Sequence, residues 1–186
     1  MIKFYCLLIF SFCTSLAKAQ NSDSESSLAY ANETKIFLND IFGQKLTSKK
    51  FILIDEPKFD CKLENSNTSF LSPLELKFIK AAIENPKITS WRNSTGLKVN
   101  FINTDSLNNI FKREFLRLHN GWDYFHIYLG ERANGFSAPI FLRDYQYCLF
   151  YFEYFCDFKC AYGETALYKK HNGKWIKLST ICSWIS

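Results

Sequence analysis

The chain of 186 residues has only seven Gly and four Pro, far below the share that marks collagen-like or low-complexity sequences. No apolar run reaches the roughly 18 residues that a membrane-spanning helix needs. Charge is not concentrated either. The 23 Lys and Arg are interleaved with 18 Asp and Glu, so there is no basic block of the kind that grips nucleic acid. The sequence contains no G-x-S-x-G, no G-x-x-x-x-G-K, no H-E-x-x-H and no paired C-x2-C. A nucleophile elbow, a phosphate loop, a zinc-protease helix and a structural zinc knuckle therefore go unsupported. No catalytic residue, metal or cofactor is assigned. What the chain does have is 47% hydrophobic and 18% aromatic residues, enough apolar surface to offset the entropy of ordering.

The first residues have the layout of an export signal. Lys3 gives a positive start, Phe4 to Phe12 an apolar stretch, and Ala17-Lys18-Ala19 the small-x-small pattern before cleavage between Ala19 and Gln20. Phe12 precedes Cys13 where lipoprotein processing wants a small residue, so no lipid anchor is expected. Residues 1–19 read as a signal peptide, 20–27 as a polar flexible leader, and 28–186 as a single domain. The expected location is the periplasm or the extracellular space.

Cleavage leaves Cys61, Cys148, Cys156, Cys160 and Cys182. Disulfides are permitted in an oxidising compartment, and an odd count leaves one thiol spare or pairs it between chains. Cys156 and Cys160 are the closest pair. A bend between them brings their Cα atoms into bonding range, and so short a loop gains at most roughly 2 kcal/mol from cross-linking. The job of that bond is to fix a loop.

Apolar residues at Leu28, Ala31, Leu38, Ile41 and Phe42, with Lys35 among them, predict a helix ending at Gly43. Phe51 to Ile54 reads as a buried strand, and Lys58 to Glu64 as another. Ser72-Pro73-Leu74-Glu75 is a capping box with Pro at the first helical position, and Asn85-Pro86 ends that helix. Leu97 to Phe101 alternates like a strand. Asp105 opens a helix through Leu118.

The last third alternates. Strands are expected at Phe136–Leu142, Gln146–Phe155 and Thr165–Lys169, with a turn at Arg143-Asp144-Tyr145. Asn172-Gly173 favours a type I′ hairpin, in whose register Leu167 opposes Leu178 and Gly163 opposes Cys182. Three sulfurs then converge, Cys182 joining Cys156 and Cys160, and the pattern reads as one disulfide with a spare thiol; a metal site, which would need a fourth ligand, and a redox site, for which C-x3-C lacks a neighbouring base, are the alternatives. The fold class is α+β: N-terminal helices packed on a four-stranded antiparallel β-meander.

In the long strand, Gln146, Cys148, Phe150, Phe152, Tyr154 and Cys156 point one way, and Tyr147, Leu149, Tyr151, Glu153 and Phe155 the other. Both faces are mostly apolar, so both must be covered or one must line a cavity. The segment Trp122 to Tyr128 is one candidate cover. Glu153, alone among aromatics, is the ionisable residue singled out as a site candidate, for acid–base work or for a polar contact; pairing with a lysine is the plainer alternative. Tyr151, Trp122 and His126 complete the candidate ligand lining. His119 and His171 have no visible partner.

The C-terminal signature Phe136-Ser137-x-Pro139-Ile140-Phe141, Cys156-x3-Cys160 and Asn172-Gly173-Lys174-Trp175 resembles a group of uncharacterised exported bacterial proteins, over about the last third of the chain. In that group the C-x3-C loop is glycine-rich, whereas here Asp157-Phe158-Lys159 fills it. The resemblance implies export and a related C-terminal sheet, with no activity. The closing G-x-W hairpin is also similar to the last strands of NTF2-like cones, the alternative architecture. The function expected is a non-catalytic binding or interaction domain for an apolar or sugar-like ligand or a protein partner. A hydrolase-like enzyme with its pocket around Glu153 and a purely structural envelope protein are the alternatives.

Overall fold

The computed structural model describes residues 25–63, 68–112 and 120–186; the expected export signal, residues 20–24, Phe115, Leu118 and His119 lie outside them. The chain is an α+β domain built on one seven-stranded sheet. Strand order is β2 (Asn100–Ile102), β1 (Phe51–Ile54), β3 (Arg132–Phe136), β5 (Tyr147–Asp157), β6 (Cys160–His171), β7 (Lys174–Ile185), and β4 (Ile140–Leu142) pairs with β5 beyond the end of β3. The expected meander forms over β3 to β7, but the sheet as a whole is mixed, because β1 runs parallel to both β2 and β3. Parallel neighbours require crossover connections. Helices supply them: α2 (Pro73–Glu84) and α3 (Trp91–Ser94) between β1 and β2, then α4 (Thr104–Lys112) and α5 (Gly121–Tyr128) between β2 and β3.

The expected Phe136–Leu142 strand is interrupted. Pro139 has no N–H to give to a ladder, and the break is satisfied locally. Ser137 N–H donates to Tyr151 O at 2.9 Å, and Ser137 Oγ accepts from Tyr151 N–H at 2.9 Å. Strand β2 lies at Asn100–Ile102, shifted towards the C terminus from the expected Leu97–Phe101. The expected strand from Lys58 is absent over the described part of that segment, which is irregular. Its Lys58 N–H instead donates to Phe136 O at 3.0 Å, at the end of β3.

One face of the sheet is covered by α1, residues 25–42. Residues 25–27, expected in the flexible leader, are helical. The buried stripe of α1 is Tyr30, Thr34, Phe37 and Leu38, whereas Leu28 is 63% exposed and Lys35 is exposed. Ring burial decides the rotation, since an aromatic side chain gains more on burial than Leu28 or Ala31. Phe37, fully buried, meets Phe150, Tyr168, Trp175 and Phe141 edge-on at 5.0–6.2 Å. Glu33 accepts from Trp175 Nε1 at 2.7 Å and pairs with Lys170 at 2.6 Å, fixing α1 on the sheet.

The other face is covered in two patches. Helix α2 packs Ile79, with Leu71, on Ile140, Leu149, Leu167 and Ile181. Helices α4 and α5 pack Leu107, Trp122 and Phe125 on Ile52, Ile54, Ile102 and Ala133. Each helix start has its own stop signal for orphan amides. The Ser72/Glu75 capping box forms as expected. Asn103 Oδ1 accepts from Ser106 N–H at 2.7 Å at the start of α4, two residues ahead of the expected Asp105. Asn120 and Asp123 form a second capping box at the start of α5.

The Asn172-Gly173 turn has positive φ at both residues, 49° and 78°, as a type I′ turn requires. The register starts as expected and then slips at two bulges in β7, so that Leu167 opposes Ser179 and Gly163 opposes Trp184. Cys182 therefore sits opposite Thr165 and bonds to Cys61, 121 residues away. The expected convergence of three sulfurs is thus replaced by two separate bonds. Cys156–Cys160 closes the β5–β6 hairpin at a Cα separation of 5.2 Å, and Cys148 is the spare thiol, fully buried, its pKa pushed up by that burial. In the chain-entropy picture, the long-range bond contributes roughly 4–5 kcal/mol against at most about 2 for the short one.

The turn at Arg143-Asp144-Tyr145 also forms, with φ of 50°, 50° and 61°. Three consecutive left-handed non-glycine residues are costly, and Arg143 anchors them. It donates to both oxygens of Glu75, at 2.7 and 3.1 Å, and to Phe70 O at 3.1 Å. Replacing Asp144 by Gly is expected to raise stability by roughly 0.5–1 kcal/mol in urea unfolding.

The Arg143 hydrogen bonds and the cap at Ser72 lower the Glu75 pKa from 4.5 to about 2. A carboxylate whose pKa is depressed on folding stabilises the native state fully above its unfolded value and loses that contribution as pH falls through the folded value. Glu75→Gln should therefore lower Tm at pH 6 by the equivalent of about 1 kcal/mol. The difference from the parent should shrink below pH 4.5 and vanish near pH 2; a difference that stays constant across that range would refute the assignment.

Candidate functional site

Between the two patches of helix on the second sheet face lies a cavity of about 1060 Å³. Its floor is the C-terminal half of β5, where Glu153 and Phe155 face it beside Gly135 of β3. Leu107 and Phe111 of α4 and Trp122 of α5 form one wall, and Ile54, Pro57 and Lys58 another. Phe158, 68% exposed at the tip of the β5–β6 hairpin, stands at the rim. Asn108, Lys112 and Asn120 add polar groups.

Glu153 is only 2% exposed. A buried carboxylate costs several kcal/mol unless its oxygens are matched, and here they are. Tyr151 O–H donates to Oε2 at 2.5 Å, while Lys58 Nζ lies 3.0 Å from Oε2 and 3.3 Å from Oε1. Lys58 is itself half exposed, with Asp60 3.5 Å away. Tyr151 in turn accepts from Trp184 Nε1–H at 3.2 Å. Burial first, and then the Glu153 carboxylate, hold the Tyr151 phenol well above its ordinary pKa, so it remains a donor.

The backbone makes room for this chain of contacts by placing glycine on both strands beside Glu153. Gly135 pairs with it from β3 and Gly163 from β6. A Cβ at Gly135 would sit 2.9 Å from Glu153 Oε1, and one at Gly163 would sit 2.2 Å from Trp184 Nε1. The β7 bulges bring Trp184 opposite Gly163, and its ring crosses β6 there to reach Tyr151.

Of the four residues expected to line a ligand, Glu153 and Trp122 line the cavity. Tyr151 is fully buried behind Glu153 and supports it without facing the cavity. His126 is exposed on α5 and holds the hairpin instead, its Nε2 lying 2.9 Å from Cys156 O. His171 lies at the end of β6 in the Asn172-Gly173 turn, away from the cavity. The cavity's second carboxylate, Glu56, escaped sequence reading. Its Oε2 accepts from Thr104 N–H and Oγ1–H, both at 2.9 Å, at the start of α4. Lys58 and Phe158 were missed as well, because their roles arise from tertiary placement. Among the described residues no group of three or more His, Cys, Asp or Glu is placed to hold a metal ion.

Gly163→Ala is expected to cost roughly 2–3 kcal/mol in urea unfolding, as an overpacked site does, and to change the emission of Trp184; a variant within 0.5 kcal/mol of the parent would show that Trp184 does not cross β6 there. No protein-family model matches this chain, nor does any curated protein or solved structure.

Proposed function

We propose that the protein is an exported binding domain whose cavity takes a small uncharged ring ligand, sugar-like in carrying hydroxyls on an apolar body. The observation that carries this reading is a buried Glu153 carboxylate, paired with the half-exposed Lys58, at the floor of an aromatic cavity. Pockets of this size with apolar walls and a few convergent polar groups are the usual form of a small-molecule site. Among the described residues the lining charges balance, Glu56 and Glu153 against Lys58 and Lys112, which disfavours a strongly charged ligand. A hydroxyl can donate to the carboxylate and accept from the ammonium together, while Phe111, Trp122 and Phe155 offer flat surfaces to the ring. Export is supported by the leading sequence and by the two disulfides.

4-Methylumbelliferyl glycosides test binding and catalysis together. Titrated against tryptophan emission, some of a panel should bind with micromolar to millimolar Kd and release no 4-methylumbelliferone. Glu153→Gln should weaken binding by roughly tenfold, the loss of a hydrogen bond to a charged group. Release of the fluorophore that disappears in Glu153→Gln would favour the hydrolase instead, and the absence of binding across the panel would refute the sugar-like reading.

A further inference from the structure

The two tight hairpins of the meander are built differently. The Asn172-Gly173 turn has positive φ at both central residues and therefore matches the twist of its strands unaided. In the β5–β6 hairpin, Asp157 pairs with Cys160 across Phe158 and Lys159, and neither central residue has positive φ. A two-residue loop of that kind splays its strands. The mismatch is absorbed by a register shift between Phe155 and Asp157, at Cys156, and this is where the Cys156–Cys160 disulfide ties the strands together. His126 holds the same point from α5 through Cys156 O. The residue presented by this cross-braced loop is Phe158, largely exposed at the rim of the cavity. The braced turn thus places an aromatic ring at the mouth of an aromatic cavity, where an entering molecule would meet it.

Resting on the binding reading above, we propose that Phe158 is a ligand-contacting clasp and that the Cys156–Cys160 disulfide sets its position, making the affinity of the cavity redox-dependent. Opening the catch is ordinary thiol–disulfide exchange with a dithiol. One thiolate of the dithiol attacks a sulfur of the pair and expels the other as thiolate, which takes up a proton. The second dithiol sulfur then closes on the first, releasing the protein as two thiols and the reductant as a cyclic disulfide. The hairpin, freed from its brace, no longer holds Phe158 over the cavity.

The test uses N-phenyl-1-naphthylamine, an uncharged probe that fluoresces in apolar sites, on four proteins: the parent, Phe158→Ala, Cys156→Ser/Cys160→Ser, and the triple variant. Cys61–Cys182 is intact in all four, and Phe158 is exposed enough to be replaced without unfolding. Phe158→Ala and the serine pair should each weaken binding by roughly five- to tenfold, the worth of one lost aromatic contact. The triple variant should bind like Phe158→Ala, because the disulfide acts through that ring.

Parent-like affinity in Phe158→Ala, or in the serine pair, overturns the clasp while leaving the cavity as a binding site. A further loss in the triple variant, equal to that of the serine pair alone, shows that the disulfide shapes the cavity without Phe158 and also overturns it. Should the serine pair fail to fold, hydrogen exchange of the parent in graded dithiothreitol replaces it. Amides 157–160 should deprotect together with the loss of probe affinity, and affinity unchanged after they deprotect overturns the proposal. No probe binding by the parent would refute the cavity reading itself, and the clasp with it.

Discussion

Strand β5 has no face that water suits. Cys148 and Phe150 on one side, and Leu149 and Tyr151 on the other, are fully buried, and leaving such side chains exposed would cost roughly 1.5–3 kcal/mol each. The rest of the architecture follows from this. A purely antiparallel meander covers nothing by itself, so helices must lie on both faces. One long helix covers the first face because Phe37 reaches the rings of β5, β6 and β7 together. The second face is covered by elements that also serve as parallel crossovers, which brings β1 and β2 into the sheet. Those crossovers come from two separate stretches of chain, and α2 and the α4–α5 pair do not meet over the middle of the sheet. The cavity is the gap between them, and its floor is the point where β5 changes from aliphatic and aromatic residues to a carboxylate.

Two buried glutamates in this sheet use the same local device, and comparing them isolates what is special about one. In each, a tyrosine two residues upstream on the same strand donates its hydroxyl to the carboxylate, and a half-exposed lysine from another segment completes the pair. Tyr151, Glu153 and Lys58 do this on the second face, Tyr162, Glu164 and Lys177 on the first. The period-two spacing of a strand makes the tyrosine–glutamate contact automatic. Glu164 also accepts from Thr180, so the device is a general means of burying a carboxylate. What separates Glu153 is its place on the floor of the cavity, beside a glycine on each neighbouring strand.

Much of the fold was legible because it rests on local chemistry. Ser72-Pro73 and Glu75 start a helix wherever they are placed, Asn172-Gly173 closes a hairpin by its own φ preferences, and the alternation of β5 divides its side chains between faces as read. Elements that depend on tertiary choices were not legible in the same way. The rotation of α1 was set by Phe37 and Tyr30; the expected spacing put Leu38, Ile41 and Phe42 on the packed side, but also Leu28 and Lys35, which are exposed. The parallel pairing of β1 had a sequence signal, a short apolar strand followed by helices and another short strand, but the stronger alternation of the last third masked it. The bulges of β7 were invisible from β7 itself. Their one trace was Gly163, an isolated glycine in a strand, which marks a close approach of another group. Glu153 was found because a charge among aromatics is anomalous, whereas Lys58 opens a segment that reads as a strand and is instead held, in irregular backbone, by the Phe136 carbonyl.

The choice between binding and catalysis turns on how the two cavity carboxylates are held. Canonical glycoside hydrolysis divides its work between two carboxyl groups, one giving a proton while the other attacks or activates water. Glu56 is occupied at the start of α4, where Thr104 donates to it twice, so using it as a nucleophile or base would release the helix start that it supports. Glu153 already accepts from a phenol and an ammonium, so its oxygens are oriented by fixed donors. Such a group suits a fixed acceptor better than an acid. The same pair would favour a neutral ligand, since Lys58 already compensates the one deeply buried charge among the described lining residues, and an arriving ion would have to break that pair before making its own. A polar but uncharged molecule can instead bridge the pair without separating it, while the aromatic walls contribute the apolar share of its affinity.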